Sequence, residues 1–445
     1  MMVIENVRLL HFSPPSVGEP TDIAVEGDRI VEVGPSLAQR YPKAERYSAG
    51  RDTSPGLYVS PGLVCSHNHF YSALSRGLMV DIQPSKDFTQ QLQHLWWRLD
   101  RALDGDLIAA SGAAGAMEAA LLGVTSVVDH HASPEYIDGS LDRLREGFDT
   151  VGIRGVLCYE TTDRNGPEGA AAGVRENERF AKRVDQERKA GADPLVEAAI
   201  GAHAPFTLGD DTLAALASVC SSTGRGLHVH AAEDRFDAVD SRYRFGLDPV
   251  VRLDRYGLLG PRTIIAHGLY LLDEEADLIN ERDAFLAHNS RSNMNNQVGY
   301  NQRIGLYRNA VLGTDGIGSD MVEEAKFAFF KHRDAGGALW MDAFLGMLQR
   351  GNLLLERYFP GKKFGRVAPG YQADLTFWDY DPPTPLLSEN VAGHAAFGMG
   401  SRMVRSTMVA GRFAVRDGKL IADGESIAQT ARRQTRRLWE RMKAL

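Results

Sequence analysis

The stretch Pro61-Gly62-Leu63-Val64-Cys65-Ser66-His67-Asn68-His69 carries an apolar run into two histidines two residues apart. Side chains at i and i+2 of a strand share a face. Both imidazoles therefore reach one point, each through a ring nitrogen. A lone His-x-His pair is weak evidence for a metal site, and its weight comes from the rest of the chain. Seven further short apolar runs end near Asp129, Tyr159, His203, His230, His267, His288 and Asp315. Helix-like segments lie between most of them. Residues 106–123 are rich in Ala and Leu and stop on Gly, residues 175–189 are charged and periodic, and residues 210–223 open on an Asp expected to cap them. Eight βα units over ~300 residues predict a (β/α)8 TIM-like barrel, an α/β fold with its chemistry at the C-terminal ends of the strands. A doubly wound sheet would place a glycine-rich phosphate loop after its first strand, and none is present. Gly313-Thr-Asp-Gly316-Ile-Gly318 is rich in glycine but lacks the Lys-Ser/Thr of a P-loop.

Around this middle the two chain ends look alike. Residues 3–9 and 22–33 alternate or run apolar, with Glu26-Gly27-Asp28 as a turn. Near the other end, Asp374-Leu-Thr-Phe-Trp and Met408-Val-Ala-Gly-Arg-Phe-Ala-Val read as strands, and Arg416-Asp417-Gly418-Lys419 turns into Leu420-Ile421. Neither end holds enough apolar residues for a core of its own. The expectation is one small composite β-sandwich from residues 1–61 and 363–445, around a catalytic barrel at 62–362. The Arg-rich stretch 431–443 reads as a helix with a solvated face.

The chain has 445 residues, 43% hydrophobic and 24% charged, with a net charge of −8, the profile of a soluble globular protein. No global field attracts nucleic acid or anionic lipid. No apolar stretch reaches the ~18 residues that span a bilayer. The N-terminus Met-Met-Val-Ile-Glu-Asn-Val has neither a basic start nor a long apolar core, so no secretion signal is visible. Three cysteines (Cys65, Cys158, Cys220) make no disulfide framework, and a reducing cytoplasm is the expected location.

The chemistry-bearing residues follow the apolar runs in order. The fifth run gives Gly226-Leu-His228-Val-His230-Ala-Ala-Glu233, the sixth Ile264-Ile-Ala-His267-Gly, and the eighth Val311-Leu-Gly-Thr-Asp315-Gly316. Imidazole and carboxylate are ordinary ligands of Zn²⁺, and three or four of them leave room for a water. Zn²⁺ brings that water to a pKa of ~7, and a nearby carboxylate relays its proton. Read singly, Asp315-Gly316 is a plain turn and Glu233 a solvated helix start. His228 shares a face with His230 and suits packing or orienting it. His130, His131 and His288 stay open between core and site.

The ordered set resembles the amidohydrolase superfamily, in its mononuclear deaminase and chlorohydrolase branch, and is most similar to SsnA-type aminohydrolases. The carrying residues are His67-Asn-His-Phe-Tyr-Ser-Ala-Leu-Ser-Arg-Gly77, Leu95-Trp-Trp-Arg-Leu-Asp100, Val128-Asp-His-His-Ala-Ser133, His288-Asn-Ser-Arg-Ser-Asn-Met-Asn-Asn296 and Asp315-Gly-Ile-Gly-Ser-Asp-Met321. The resemblance implies that His67, His69 and His230 bind the metal, with Asp315 as fourth ligand or beside its water. It implies Glu233 as the acid/base glutamate, His267 as the residue orienting the attacking water, and His203 as a substrate contact. Binuclear members carry a carbamylated lysine at the fourth strand. Here that segment reads Ala199-Ile-Gly-Ala-His-Ala-Pro, which favours one divalent ion, Zn²⁺ first, with Fe²⁺ or Mn²⁺ as alternatives. A homo-oligomer is expected on the resemblance alone.

Tyr71, Arg76, Trp96 and Trp97 lie in a long segment after the first strand that either covers the site or forms a buried aromatic face. Tyr71, Arg291 and Asn293 are further substrate-contact candidates, and Arg291, Ser292 and Asn293 equally suit surface or subunit contacts. The expected function is a metal-dependent aminohydrolase that releases ammonia from a small nitrogen heterocycle such as a purine, pyrimidine, pterin or hydantoin-like ring. The same site would serve a chlorohydrolase or a cyclic-amide hydrolase. A rival of another class is a non-catalytic metal-binding or maturation factor linked to selenium-dependent enzymes, as the SsnA resemblance suggests. The acid/base set of His230, Glu233, His267 and Asp315 speaks against that rival.

Overall fold

The structure, a computed structural model, describes residues 1–48 and 57–445. The chain opens with three antiparallel strands, β1 (Met2–Phe12), β2 (Pro15–Glu26) and β3 (Arg29–Gly34). β4 (Glu45–Ser48) and β5 (Tyr58–Pro61) then pair with β1 in parallel.

The chain next enters the barrel. Its strands are β6 (Leu63–Asn68), β7 (Val124–His131), β8 (Arg154–Tyr159), β9 (Val196–Ala198), β10 (Ile200–Ala202), β11 (Leu227–Ala231), β12 (Ile264–His267), β13 (Phe285–His288) and β14 (Ala310–Leu312). Every neighbouring pair is parallel. β9 and β10 are two halves of one strand interrupted at Ala199, and a bridge from Thr161 to Ala202 joins β10 to the β8 side. The ring closes where Asn68 bridges Asp315 and the N–H groups of Thr314 and Asp315 donate to His67 O at 2.9 and 3.1 Å. A side-chain carbon at Gly313 would lie 2.7 Å from His67 Cβ, so glycine permits this seam. The barrel strands are buried on both faces, hence their near-continuous apolar runs. The expected (β/α)8 architecture is the one observed.

The remaining strands are β15 (Leu375–Trp378), β16 (Val404–Val409), β17 (Arg412–Arg416) and β18 (Lys419–Leu420). β15 pairs antiparallel with β5, Leu375 opposite Pro61 and Trp378 opposite Tyr58. Strands from both chain ends thereby form one mixed nine-stranded sheet. Its core gathers Ile4, Val7, Ile23, Val25, Val59, Leu375, Phe377 and Met408, contributed by both ends. Arg154 ties sheet to barrel: its Nε donates to Asp374 Oδ2 at 2.6 Å and its Nη2 to Gln372 Oε1 at 2.7 Å.

The helical segments fall near their expected places, at Gly105–Leu121, Gly166–Lys189 and Asp210–Thr223. The second starts earlier than its charged periodicity implied, on a turn containing Pro167. Asp210 does not cap its helix. Gly209 holds that position, its N–H donating to Asp163, while Asp210 accepts from Arg252 Nη2 at 2.7 Å. The Arg-rich end forms the helix Gly424–Ala444, which buries Ile427, Leu438 and Met442. Its Met442 carbonyl accepts from Arg98 Nε at 2.8 Å and so braces the segment that covers the barrel mouth.

Candidate functional site

All the charged candidates sit at or just beyond the C-terminal ends of barrel strands. His67 lies one residue before the end of β6, whose last residue Asn68 pairs with Asp129 and Asp315, and His69 follows β6 directly. His267 (φ 75°), Asp315 (φ 54°) and Ala232 (φ 50°) occupy the left-handed region. Non-glycine residues hold that region at a cost of about 1–3 kcal/mol each, and such strain gathers at sites where side-chain direction matters.

Hydrogen bonds set the ring tautomers. His69 Nδ1–H donates to His130 O at 2.5 Å, and His230 Nδ1–H donates to His203 O at 2.8 Å. His267 Nδ1–H donates to Asn293 Oδ1 at 2.8 Å. His67 Nδ1–H donates to His228 Nε2 at 2.8 Å, with His228 Nδ1 in turn 3.7 Å from Cys158 Sγ. Each of the four Nε2 atoms is left with a lone pair. His69 Nε2 and His230 Nε2 lie 3.2 Å apart, and Asp315 Oδ1 lies 2.9 Å from His69 Nε2 and 3.6 Å from His67 Nε2. The Nε2 atoms of His67 and His267 are buried with no hydrogen-bond partner among the described residues. Ligand atoms of His67, His230, His267 and Asp315 all fall within 4.8 Å of one another.

Lone pairs pressed together away from water repel unless a cation sits among them. Burial lowers the charged forms of His67, to about 3, and of His230, whereas Asp315 overcomes the same burial at His69 and lifts it to about 9. Asp315 is itself held well below the usual carboxylate range, since His67 and His69 outweigh its burial, and it accepts from Ser292 Oγ. The donor set, imidazole nitrogens plus one carboxylate with orphaned inward atoms, fits a divalent cation of the zinc type. The second shells are in place too, since three of the four imidazoles donate to a backbone or amide oxygen.

Glu233 stands over this cluster. Its Oε2 is 3.5 Å from His267 Nε2, and its Oε1 accepts from Asn296 Nδ2 at 3.3 Å. Burial pushes its carboxyl up to about 7. The pocket above is lined by Tyr71, Phe88, Trp96, Trp97, His203 and Phe206, besides His69, His230, Glu233 and Asp315. Tyr71 packs edge-on against His69, with ring centroids 5.3 Å apart.

Two expected substrate contacts are placed elsewhere. Arg291 is locked in ion pairs, Nε to Glu324 Oε2 at 2.6 Å and Nη1 to Glu323 Oε2 at 2.7 Å, and does not line this pocket. Asn293 lies behind His267 rather than in front of it. Of the histidines left open, His130 is buried beneath the ligand cluster, where its Nε2–H donates to Ala202 O at 3.1 Å. His288 bonds Ser290 Oγ at 2.7 Å, and His131 bonds Ser133 Oγ at 2.9 Å.

The sequence reading missed Glu160, Asp100 and Asn296. Glu160 lines the pocket, and its Oε2 is 3.3 Å from His130 Nδ1. Its signal was its place: it directly follows Tyr159 at the end of a barrel strand. Asp100 pairs with Arg164, which stacks on Trp97 at 4.8 Å. Asp100 and Asn296 lie in two of the stretches that carry the family resemblance, but neither was given a role at the site.

A parallel barrel that aims imidazole lone pairs and carboxylates at one point beyond its strand ends defines a metal-dependent hydrolase acting on C–N bonds other than peptide bonds. The chain belongs to the Amidohydrolase family, whose sequence pattern it matches over residues 58–414. The relatives it resembles include deaminases and chlorohydrolases. It is 27% identical over 374 residues to the 5'-deoxyadenosine deaminase of Methanopyrus kandleri, covering 82% of this chain and 83% of the relative. Its fold is similar to that of an adenosine deaminase from Xanthomonas campestris with bound zinc (TM-score 0.81, 23% identity, 100% of this chain and 99% of the other). It is equally similar to atrazine chlorohydrolase TrzN from Arthrobacter aurescens TC1 complexed with zinc (TM-score 0.81, 22% identity, 98% and 100%).

Proposed function

We propose that the protein is a one-zinc aminohydrolase that removes the exocyclic amino group of an adenine-type nucleoside and releases ammonia. The observation carrying this reading is Glu233, a buried carboxyl near neutrality set 3.5 Å from the His267 Nε2 lone pair and facing the imidazole cluster. His67, His69, His230 and Asp315 would hold the metal. A divalent ion bound there would lower the pKa of its water to about 7 and so would supply hydroxide at neutral pH.

The chain's own residues do the rest. His267, fixed as the Nδ1–H tautomer by Asn293, presents a basic Nε2 that orients the attacking water and accepts its hydrogen bond. Ionised Asp315 would take the proton lost by the attacking water and pass it to the departing amine. Glu233, near its own pKa at neutral pH, would give its proton to the ring nitrogen beside the reacting carbon, which keeps it in the product, and would regain one from the hydroxyl of the adduct as the carbonyl forms and ammonia leaves. Asn296 fixes the Glu233 carboxyl plane through Oε1. Tyr71, Trp96 and Trp97 offer flat apolar surfaces to a planar base, and His203 offers a polar contact on the same wall.

The nucleoside class is supported by the similarity to 5'-deoxyadenosine deaminases and to 5-methylthioadenosine/S-adenosylhomocysteine deaminases. We place the chain among SsnA-type aminohydrolases within that branch. We also read it as a cytoplasmic homo-oligomer with a catalytic unit at 62–362 and a composite unit from 1–61 and 363–445. The test is ammonia release from 5'-deoxyadenosine, 5-methylthioadenosine and adenosine by zinc-replete protein, beside chloride release from a chlorotriazine and ring opening of a cyclic amide. Ammonia with the matching inosine-type product supports the reading. Chloride release or ring opening without any ammonia overturns it.

A further inference from the structure

At the end of the barrel opposite the histidine cluster, a cavity of about 610 Å³ opens between the helix Met341–Tyr358, the β1–β2 turn and the segment returning to the sheet. Its place is set by Arg350, whose Nε donates to Ala310 O, the first residue of β14, at 2.9 Å. That bond is the anchor of the guanidinium. Among the described residues Arg350 forms no ion pair, whereas the buried guanidiniums of Arg154, Arg252 and Arg291 each hold a carboxylate. Burial pushes the Arg350 pKa down with nothing to offset it. A half-buried cation without a counter-charge is costly, and an anionic ligand removes that cost.

The rest of the lining favours an anion. Arg366, exposed at the rim, also forms no ion pair among the described residues, and its charge adds to burial in pulling His11 down. His11 Nε2 accepts from Val367 N at 3.4 Å, so Nδ1 carries the hydrogen and donates to Ser16 Oγ at 3.2 Å. The Ser16 hydroxyl hydrogen is then free to donate elsewhere. A side-chain carbon on Gly346 would lie 3.4 Å from Arg350 Nη1 and 3.6 Å from Ser13 Oγ, so glycine leaves room beside both groups. Glu356, the carboxylate on the lining, is engaged through Oε1 by Phe364 N at 2.9 Å.

We propose that this cavity binds a phosphate or phosphate ester, with Arg350 and Arg366 as counter-charge and the Ser13 and Ser16 hydroxyls as neutral donors. A tetrahedral oxyanion accepts hydrogen bonds from several directions at once, and a guanidinium fork spans two of its oxygens. The volume exceeds that of one phosphate and falls in the range of small-molecule sites, which leaves space for the organic part of an ester. Lying at the barrel end remote from the chemistry, the ligand braces the joint between barrel and sheet and takes no part in turnover.

The test is calorimetric titration of the full zinc-replete chain with inorganic phosphate and, separately, ribose 5-phosphate, in a phosphate-free buffer. Saturable binding weakened about tenfold or more by Arg350→Gln, with ammonia-releasing activity unchanged, is the expected result. Gly346→Leu, which fills the space beside Arg350, abolishes binding. Binding of both ligands identifies the phosphate group as sufficient, and binding of the ester alone shows that its organic part is also read. Should Arg350→Gln fail to fold, Arg366→Gln on the exposed rim carries the same comparison. Absence of saturable binding by either ligand, or affinities unaltered in these variants, overturns the proposal.

Discussion

Glu233 and His267 face each other at 3.5 Å, and their roles separate by what holds each in place. Burial keeps the Glu233 carboxyl near 7, where it both gives and takes a proton. Glu233→Gln keeps the bond from Asn296 but removes the exchangeable proton. Turnover should fall by about a hundred- to ten-thousandfold with zinc content unchanged, measured by ammonia release and elemental analysis. A variant with normal zinc and full turnover would remove Glu233 from the relay. Asn293 acts through His267. Asn293→Leu should free the ring tautomer and lower kcat roughly 10- to 100-fold, whereas Asn293→Asp, which keeps an acceptor for Nδ1–H, should restore most of it. The residues proposed as ligands were named from their order after apolar runs together with the family resemblance, and the structure brings His67, His69, His230 and Asp315 together. Asn293 was legible as a residue but not as a neighbour of His267. Its side chain reaches behind the ring from the helix Ser290–Asn295, a direction that spacing along the chain does not encode.

At the scale of elements, the segment after β6 decides access to the site. Residues Leu92–Trp96 form one π-helical turn, which lets consecutive Trp96 and Trp97 both reach the pocket wall. Gly316 lies under the Trp96 ring; a side-chain carbon there would sit 2.6 Å from its outer edge. Trp96→Ala should raise KM about tenfold with a smaller change in kcat, since it removes stacking surface and leaves the proton relay intact, as steady-state kinetics on the nucleoside will report. The strands of the barrel were legible as apolar runs because parallel strands buried on both faces need no polar alternation. The covering segment stayed open between a lid and a core helix. An aromatic face looks the same in sequence whether it packs on protein or walls a pocket, and the difference rests on what lies opposite, here His69, His131 and His203.

Across the whole molecule, barrel and sheet are joined by a buried ion pair. Arg154 opens β8 and Asp374 precedes β15, and the two meet at 2.6 Å with both side chains almost fully enclosed. Arg154→Met leaves Asp374 buried without its partner and should destabilise the fold by about 3–5 kcal/mol, measured by denaturant unfolding. Metal removal should act on the same global equilibrium. An ion bound only by the folded chain stabilises it by about 2.7 kcal/mol at a hundredfold excess over its Kd, so chelation should lower the melting temperature and zinc should restore it. Unchanged melting after verified removal would argue against zinc holding His67, His69, His230 and Asp315 together. The sequence alone determined the barrel, a β-rich unit built from both chain ends and the order of histidines and aspartate. Those features follow from hydrophobic period and residue type, which are local properties of a chain. Only the tertiary structure decided which side chains face which: that Arg291 spends its charge on Glu323 and Glu324, that Glu160 lines the pocket, and that Arg350 forms no ion pair among the described residues. Those outcomes depend on contacts between residues far apart in the chain, whose directions exist only once the backbone has closed on itself.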